Sequence, residues 1–152
     1  MRCALALSLL ASLAACTDNV QGELVIEEPS GRLHGFAPHD CVDGNDYGFF
    51  GVQMWDDHET VMDFFRRGDG PAVLFFDPGG TAFELVPSDC AVFRGELERE
   101  FNRVTDDGKV HGDLELDCVT DTGLAVRGEL QFQDCYAPDD DDDDDWDDDD
   151  DW

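Results

Sequence analysis

The densest set of oxygen donors in the first half of the chain is Asp40-Cys41-Val42-Asp43-Gly44-Asn45-Asp46. Asp40, Asp43, Asn45 and Asp46 carry carboxylate and amide oxygens close enough for a tight loop to wrap a hard cation such as Ca²⁺. The spacing departs from that of an EF-hand: with Asp43 as first ligand the twelfth position is Met54, where such a loop needs Glu. The competing reading is a turn in which Asp and Asn bond their own backbone. His34 and His39, with Asp40 beside them, make a weaker zinc candidate against the plainer reading of solvated loop histidines, and His111 falls on the polar side of a strand. Nucleophilic chemistry has little to work with. Past residue 15 the serines are Ser30 and Ser88, and neither sits in a Gly-x-Ser-x-Gly turn. There is no phosphate-binding glycine loop and no His-Glu-x-x-His. Carboxylates are so abundant that two could meet in a cleft, which leaves a paired-carboxylate hydrolase of an envelope polymer as the alternative to a non-catalytic protein. No catalytic residue and no resident cofactor is expected.

The amino terminus carries different chemistry. Met1-Arg2 supplies a positive charge, and Cys3 to Ala15 is a run of Ala, Leu, Ser and one Cys. Its length is that of a signal-peptide core and is too short to cross a bilayer stably. It ends Leu13-Ala14-Ala15-Cys16, which resembles the bacterial lipobox. The resemblance implies cleavage before Cys16, a diacylglyceryl group on its sulfur and stable anchoring by more than one acyl chain. It places the protein in a bacterial cell envelope, as an outer-membrane lipoprotein attached to the membrane by lipid.

With Cys3 removed and Cys16 lipidated, Cys41, Cys90, Cys118 and Cys135 remain. An even count in a small exported domain predicts two disulfides. Cys118 and Cys135 close successive predicted strands of one hairpin, so they stand about ten residues, or roughly 33 Å, apart along the sheet. A disulfide needs Cα atoms within about 7 Å. Of the three possible pairings, that disfavours the one with Cys118–Cys135 and leaves two, of which Cys90–Cys118 with Cys41–Cys135, closing the domain, is the one expected.

The elements that must carry these residues read as β-structure. Lys109–Leu116 and Ala125–Phe132 place apolar residues at every second position, with Gly112 and Gly128 in the same register, and Ala91–Leu97 shares the pattern. Period two with one polar face is a half-buried antiparallel strand. Turn signals at Asp106-Asp107-Gly108 and Asp121-Thr122-Gly123 make residues 91–133 a three-stranded meander. Tyr47–Trp55, Ala72–Phe76 and Thr81–Val86 read as further strands, the last two joined by Asp77-Pro78-Gly79-Gly80. Residues 58–67 fit two readings: a short helix capped by Asp56 and Glu59, or a buried strand. About seven strands with frequent turns predict an all-β fold, an antiparallel β-sandwich with one short helix at most. Its expected core is Phe49, Phe75, Phe83, Phe93, Phe101 and Phe132.

The order of lipobox, acidic linker and Cys-bearing β domain resembles small lipoproteins of myxobacteria and their relatives. That group brings no activity with it, so no functional residue carries over. The expected organisation is a signal peptide (1–15), the lipidated Cys and a linker (16–31), the β domain (32–138) and an Asp/Trp tail (139–152).

Charge narrows the partners. The 152 residues hold 38 acids against 9 bases, a net charge of −29. Nucleic acid is excluded as a partner, because phosphate binding needs clustered Lys and Arg, and binding of anionic lipid by charge is excluded with it. In the tail, only Trp146 and Trp152 interrupt the aspartates. Such a segment offers no core and repels itself, so it is expected to be disordered. Its charge density suits weak, exchangeable binding of divalent cations, Ca²⁺ or Mg²⁺, or contact with a basic envelope protein. The functional expectation is a lipid-anchored binding or structural module, with a dedicated Ca²⁺-binding protein as a further alternative.

Overall fold

The computed structural model describes residues 19–102 and 107–137. The signal sequence, Cys16 and the acidic tail lie outside the described residues. Ten strands are found there: β1 (Val20–Glu27), β2 (Leu33–Phe36), β3 (Asp40–Asp43), β4 (Gly51–Trp55), β5 (Val61–Arg67), β6 (Gly70–Phe76), β7 (Ala82–Leu85), β8 (Cys90–Asn102), β9 (Asp107–Val119) and β10 (Ala125–Tyr136). Two 3-10 turns, Gly44–Tyr47 and Pro87–Asp89, complete the regular structure. No helix among the described residues is long and apolar enough to cross a membrane.

The fold is all-β, and its strands form one continuous, curled sheet where two separate sheets are expected from the sequence. One end runs β2-β1-β10-β9-β8 and the other β3-β4-β5-β6-β7. They join at β10. One edge of that strand is paired with β9 over its whole length. The other edge is shared, with β1 along Ala125–Phe132 and then β3 through a single parallel pair, Tyr136 with Val42. The curl brings β5 over the meander and β6 over β2. The Phe64 ring of β5 lies 6.4 Å from Phe132 and 6.5 Å from Phe93, and Phe75 of β6 meets Phe36 of β2 edge-on at 5.5 Å.

A repeated unit explains the register of the meander and its neighbour. Val20-Gln21-Gly22-Glu23-Leu24, Phe93-Arg94-Gly95-Glu96-Leu97, Val110-His111-Gly112-Asp113-Leu114 and Val126-Arg127-Gly128-Glu129-Leu130 share the order apolar, polar, Gly, acid, Leu. They lie on β1, β8, β9 and β10. In every pairing among these strands a glycine stands opposite a large apolar residue: Gly22 opposite Leu130, Gly128 opposite Leu24 and Leu116, Gly112 opposite Phe132 and Leu97, Gly95 opposite Leu114. The bulky side chain fills the space its partner lacks, which favours one alignment over slipped ones. The glycines are also required sterically. A Cβ on Gly128, at φ +139°, would stand 2.2 Å from the Glu23 carbonyl oxygen, and one on Gly95 would stand 2.4 Å from the Phe64 ring.

Several expectations are corrected. Within the linker expected over 16–31, where Leu24-Val25-Ile26 could add a short strand, the structure has the longer β1, whose Val20, Leu24 and Ile26 are buried. The ambiguous stretch 58–67 resolves to β5. Asp56, read as a helix cap, instead closes a hairpin turn: its Oδ1 accepts from the backbone N–H groups of His58 and Thr60 at 2.9 and 3.0 Å. The Tyr47–Trp55 strand shortens to Gly51–Trp55, because Gly44–Tyr47 is a 3-10 turn. Of the six phenylalanines expected in the core, Phe75 and Phe132 are buried and Phe83 and Phe93 pack against it. Phe101 is 56% exposed near the end of β8. Phe49 packs on Phe65, whose neighbour Phe64 takes the inward position. Phe36 and Phe64 are the fully buried aromatics that the expected set lacks.

Candidate functional site

Both expected disulfides are present. Cys41–Cys135 ties β3 to β10 across 94 residues, and Cys90–Cys118 ties the start of β8 to the end of β9. The first depends on a bulge. Phe132 pairs with Gly112 and Cys135 with Val110, so Gln133 and Asp134 both face the single residue His111. Three residues apart on a regular strand, Phe132 and Cys135 would point to opposite faces. The bulge, with Asp134 at φ +53°, turns both inward, and both are buried.

The same bulge shapes an open groove of about 560 Å³. Asn19 and Gln21 line it from the β1 end, Gln131, Gln133 and Asp134 from β10, Lys109, His111 and Asp113 from β9, and Glu100 from β8. Lys109 is the only lysine in the chain. Its Nζ stands 2.8 Å from Asp134 Oδ1 and 3.3 Å from Glu100 Oε2, and these carboxylates, Asp134 foremost, push its pKa up to about 12. His111 Nε2 lies 3.0 Å from Glu98 Oε2. The one lysine of the groove is therefore already matched by carboxylates, and Asp113 and the amides of Gln21, Gln131 and Gln133 complete a polar lining. Amides and carboxylates of this kind hydrogen-bond and attract cationic groups. Glu100 and Asp134 hold one ammonium between them, so neither stands free as an acid or base.

Of the residues expected to ligate Ca²⁺, the described side chains of Asp40, Asp43 and Asn45 are engaged with protein groups. Asp40 Oδ1 accepts from the N–H of Cys41 at 2.8 Å and from Asn19. Asp43 is buried; its Oδ1 accepts from the Asn45 N–H at 2.9 Å and caps the 3-10 turn. Its Oδ2 lies 2.8 Å from Arg99 Nη2, an ionic contact without hydrogen-bond alignment, and has no other partner among the described residues. Arg99 Nη1 also reaches Asn45 Oδ1 at 3.4 Å. The Arg99 guanidinium thus supplies the counter-charge to the buried Asp43 carboxylate. Asp46 lies in the turn itself. The histidines disperse: His34 pairs with Ile26 in the β2–β1 ladder, His39 Nδ1 stands 3.5 Å from Asp57, and His58 stands 3.8 Å from the buried Asp56. Among the described residues no three of His, Cys, Asp and Glu form a metal cluster.

The groove was not foreseeable residue by residue. Its glutamines and acids occupy the solvent-facing alternate positions of strands read correctly, but a bulge that gathers Asp134 onto Lys109 leaves no mark in the hydrophobic period. Comparisons of this chain with protein-family models, with curated proteins and with solved structures find no match.

Proposed function

We propose that this protein is a lipid-anchored, non-catalytic binding module of a bacterial envelope that engages a cationic partner through the groove over β1, β10, β9 and β8. The observation that supports it most is the groove itself, lined by Glu100, Asp113 and Asp134 and by uncharged amides, with Lys109 already neutralised by two of those acids. Two cystines in so small a domain agree with maturation in an oxidising compartment. Lipidation at Cys16 would place the anchor four residues before Val20, a reach of at most about 14 Å. The domain would then sit against the membrane, with the Asn19 end of the groove nearest to it.

Envelope-polymer hydrolysis by paired carboxylates is the weaker reading, because the closest acids of the groove are both committed to Lys109. The anchor is tested by mass spectrometry of the native product: an acylated Cys16 at the amino terminus is expected, and an unmodified terminus would remove the anchor. The groove is tested with an oligolysine probe. Binding should weaken as salt rises and should fall at least about fivefold in the triple variant E100Q/D113N/D134N, since each charge-assisted contact is worth more than a neutral one. Binding that ignores both salt and substitution would overturn the reading.

A further inference from the structure

From the free edge of β8 we infer that this protein self-associates, two copies joining their sheets through antiparallel β8–β8 pairing. β8 spans thirteen residues, and among the described residues β9 is its only strand partner. On its far side alternate residues present N–H and C=O groups that no strand among the described residues takes up. The strand is held ready as a template: the Cys90–Cys118 disulfide fixes its start, and Glu100 is tied to β9 through Lys109 near its end.

The occupant is indicated by the rule that sets register among β1, β8, β9 and β10, where glycine faces a large apolar residue. β8 carries its own complement two positions apart. In the antiparallel alignment that puts Glu96 on the two-fold axis, Gly95 faces Leu97 of the second copy and Leu97 faces its Gly95. The same alignment sets Arg94 opposite Glu98 of the second copy, twice by symmetry, and all three of Arg94, Glu96 and Glu98 are exposed. Among the described residues Arg94 makes only a loose contact, 3.4 Å to Glu115. Shifting the alignment by two residues in one direction puts Glu96 opposite Glu98 and Leu97 opposite itself, which loses the match. An isologous interface of this kind closes at two copies. The chain's own tail does not suit the edge, since its aspartates would lie along Glu96, Glu98 and Glu100.

Two features oppose pairing: the Glu96–Glu96 contact on the axis and the net charge of each copy. They give the interface a signature opposite to that of a basic ligand, because screening relieves repulsion between the copies. Sedimentation of the purified full chain at 20, 150 and 500 mM salt should show dimer increasing with salt, and E96Q should tighten it at least about threefold. R94E and E98R should each weaken the dimer about tenfold, and R94E/E98R together should restore it. Hydrogen exchange should show the outward amides of β8 protected in the dimer. A monomer at every salt concentration overturns the inference, as does a dimer indifferent to the charge swap. Retention of oligolysine binding in either case would show that the groove reading stands apart.

Discussion

Asp43 shows how a residue type chosen for one chemistry can serve another. Its side chain caps a turn with one oxygen and meets Arg99 with the other, so the loop is closed by a guanidinium from β8, fifty-six residues on in the chain. Replacing Arg99 by Ala leaves a buried carboxylate without its counter-charge. Because Arg99 is 29% exposed, the loss should fall below that of a fully buried pair, about 2–3 kcal/mol in urea unfolding. Asp43→Asn keeps the cap and should cost about 1 kcal/mol. If R99A unfolds like the parent, the contact carries no stability. Asp63 offers a pH-dependent test. Burial raises its pKa, only partly offset by the hydrogen bond that Gln53 donates at 2.8 Å. A carboxyl with a raised folded pKa contributes stability below its unfolded pKa of about 3.9 and loses it as pH rises through the folded value. Asp63→Asn, which keeps an acceptor for Gln53 and removes the charge, should raise Tm at pH 7 and lose that advantage below about pH 4. A lower Tm at pH 7 would show that the charge is useful where it stands. Lys109, as the sole lysine, gives one side-chain amine resonance after reductive methylation, expected to titrate near 12; a value near 10.4 would mean the Asp134 and Glu100 contacts are absent in solution.

At the level of elements, the two disulfides predict different costs. Removing Cys41–Cys135, with a separation of 94 residues, should destabilise by about 4.7 kcal/mol on chain entropy, and removing Cys90–Cys118, with a separation of 28, by about 3.6 kcal/mol. Unfolding of C41A/C135A and C90A/C118A measures the difference, and a reversed order would mean that loop closure is not what governs these bridges. The pairing was legible in part: a hairpin fixes which ends of its strands are remote, which removes Cys118–Cys135, and the choice between the two remaining pairings is made by the fold, where Cys41 on β3 meets Cys135 on β10. The meander was legible because its faces alternate cleanly. β1 was also present as a signal, since Val20, Gly22 and Leu24 repeat the unit of β9 and β10, but surrounding acids and a following Pro-Ser-Gly give that stretch the composition of a linker. Residues 58–67 were ambiguous for a physical reason. An Asp that caps a helix and an Asp that closes a hairpin turn accept the same nearby N–H groups, and only the neighbour across the turn decides between them. The sheet's continuity through β10 was hidden more deeply, in a single Tyr136–Val42 pair and a bulge that no periodicity marks.

For the whole molecule, charge sets the terms on which everything else operates. A chain at −29 with a compact core repels itself, and screening should relieve part of that repulsion. The melting temperature should therefore rise with salt over the range where surface pairs such as Arg94–Glu115 lose strength, and the direction of the change decides which effect dominates. The tail concentrates the repulsion. Neighbouring carboxylates about 3.5–7 Å apart oppose each other by roughly 0.6–1.2 kcal/mol per pair even in bulk water, so a divalent ion between them is favoured without any built cage. Ca²⁺ titrated into the full chain should give heats consistent with several weak, exchangeable ions, and truncation after residue 138 should remove more than half of the total. The Asp40–Asp46 loop, already closed by Arg99, should contribute little, so D40N and D43N should leave the heats nearly unchanged. Equal heats from full and truncated chains would place the ions on the folded domain and would make the tail a repulsive surface only.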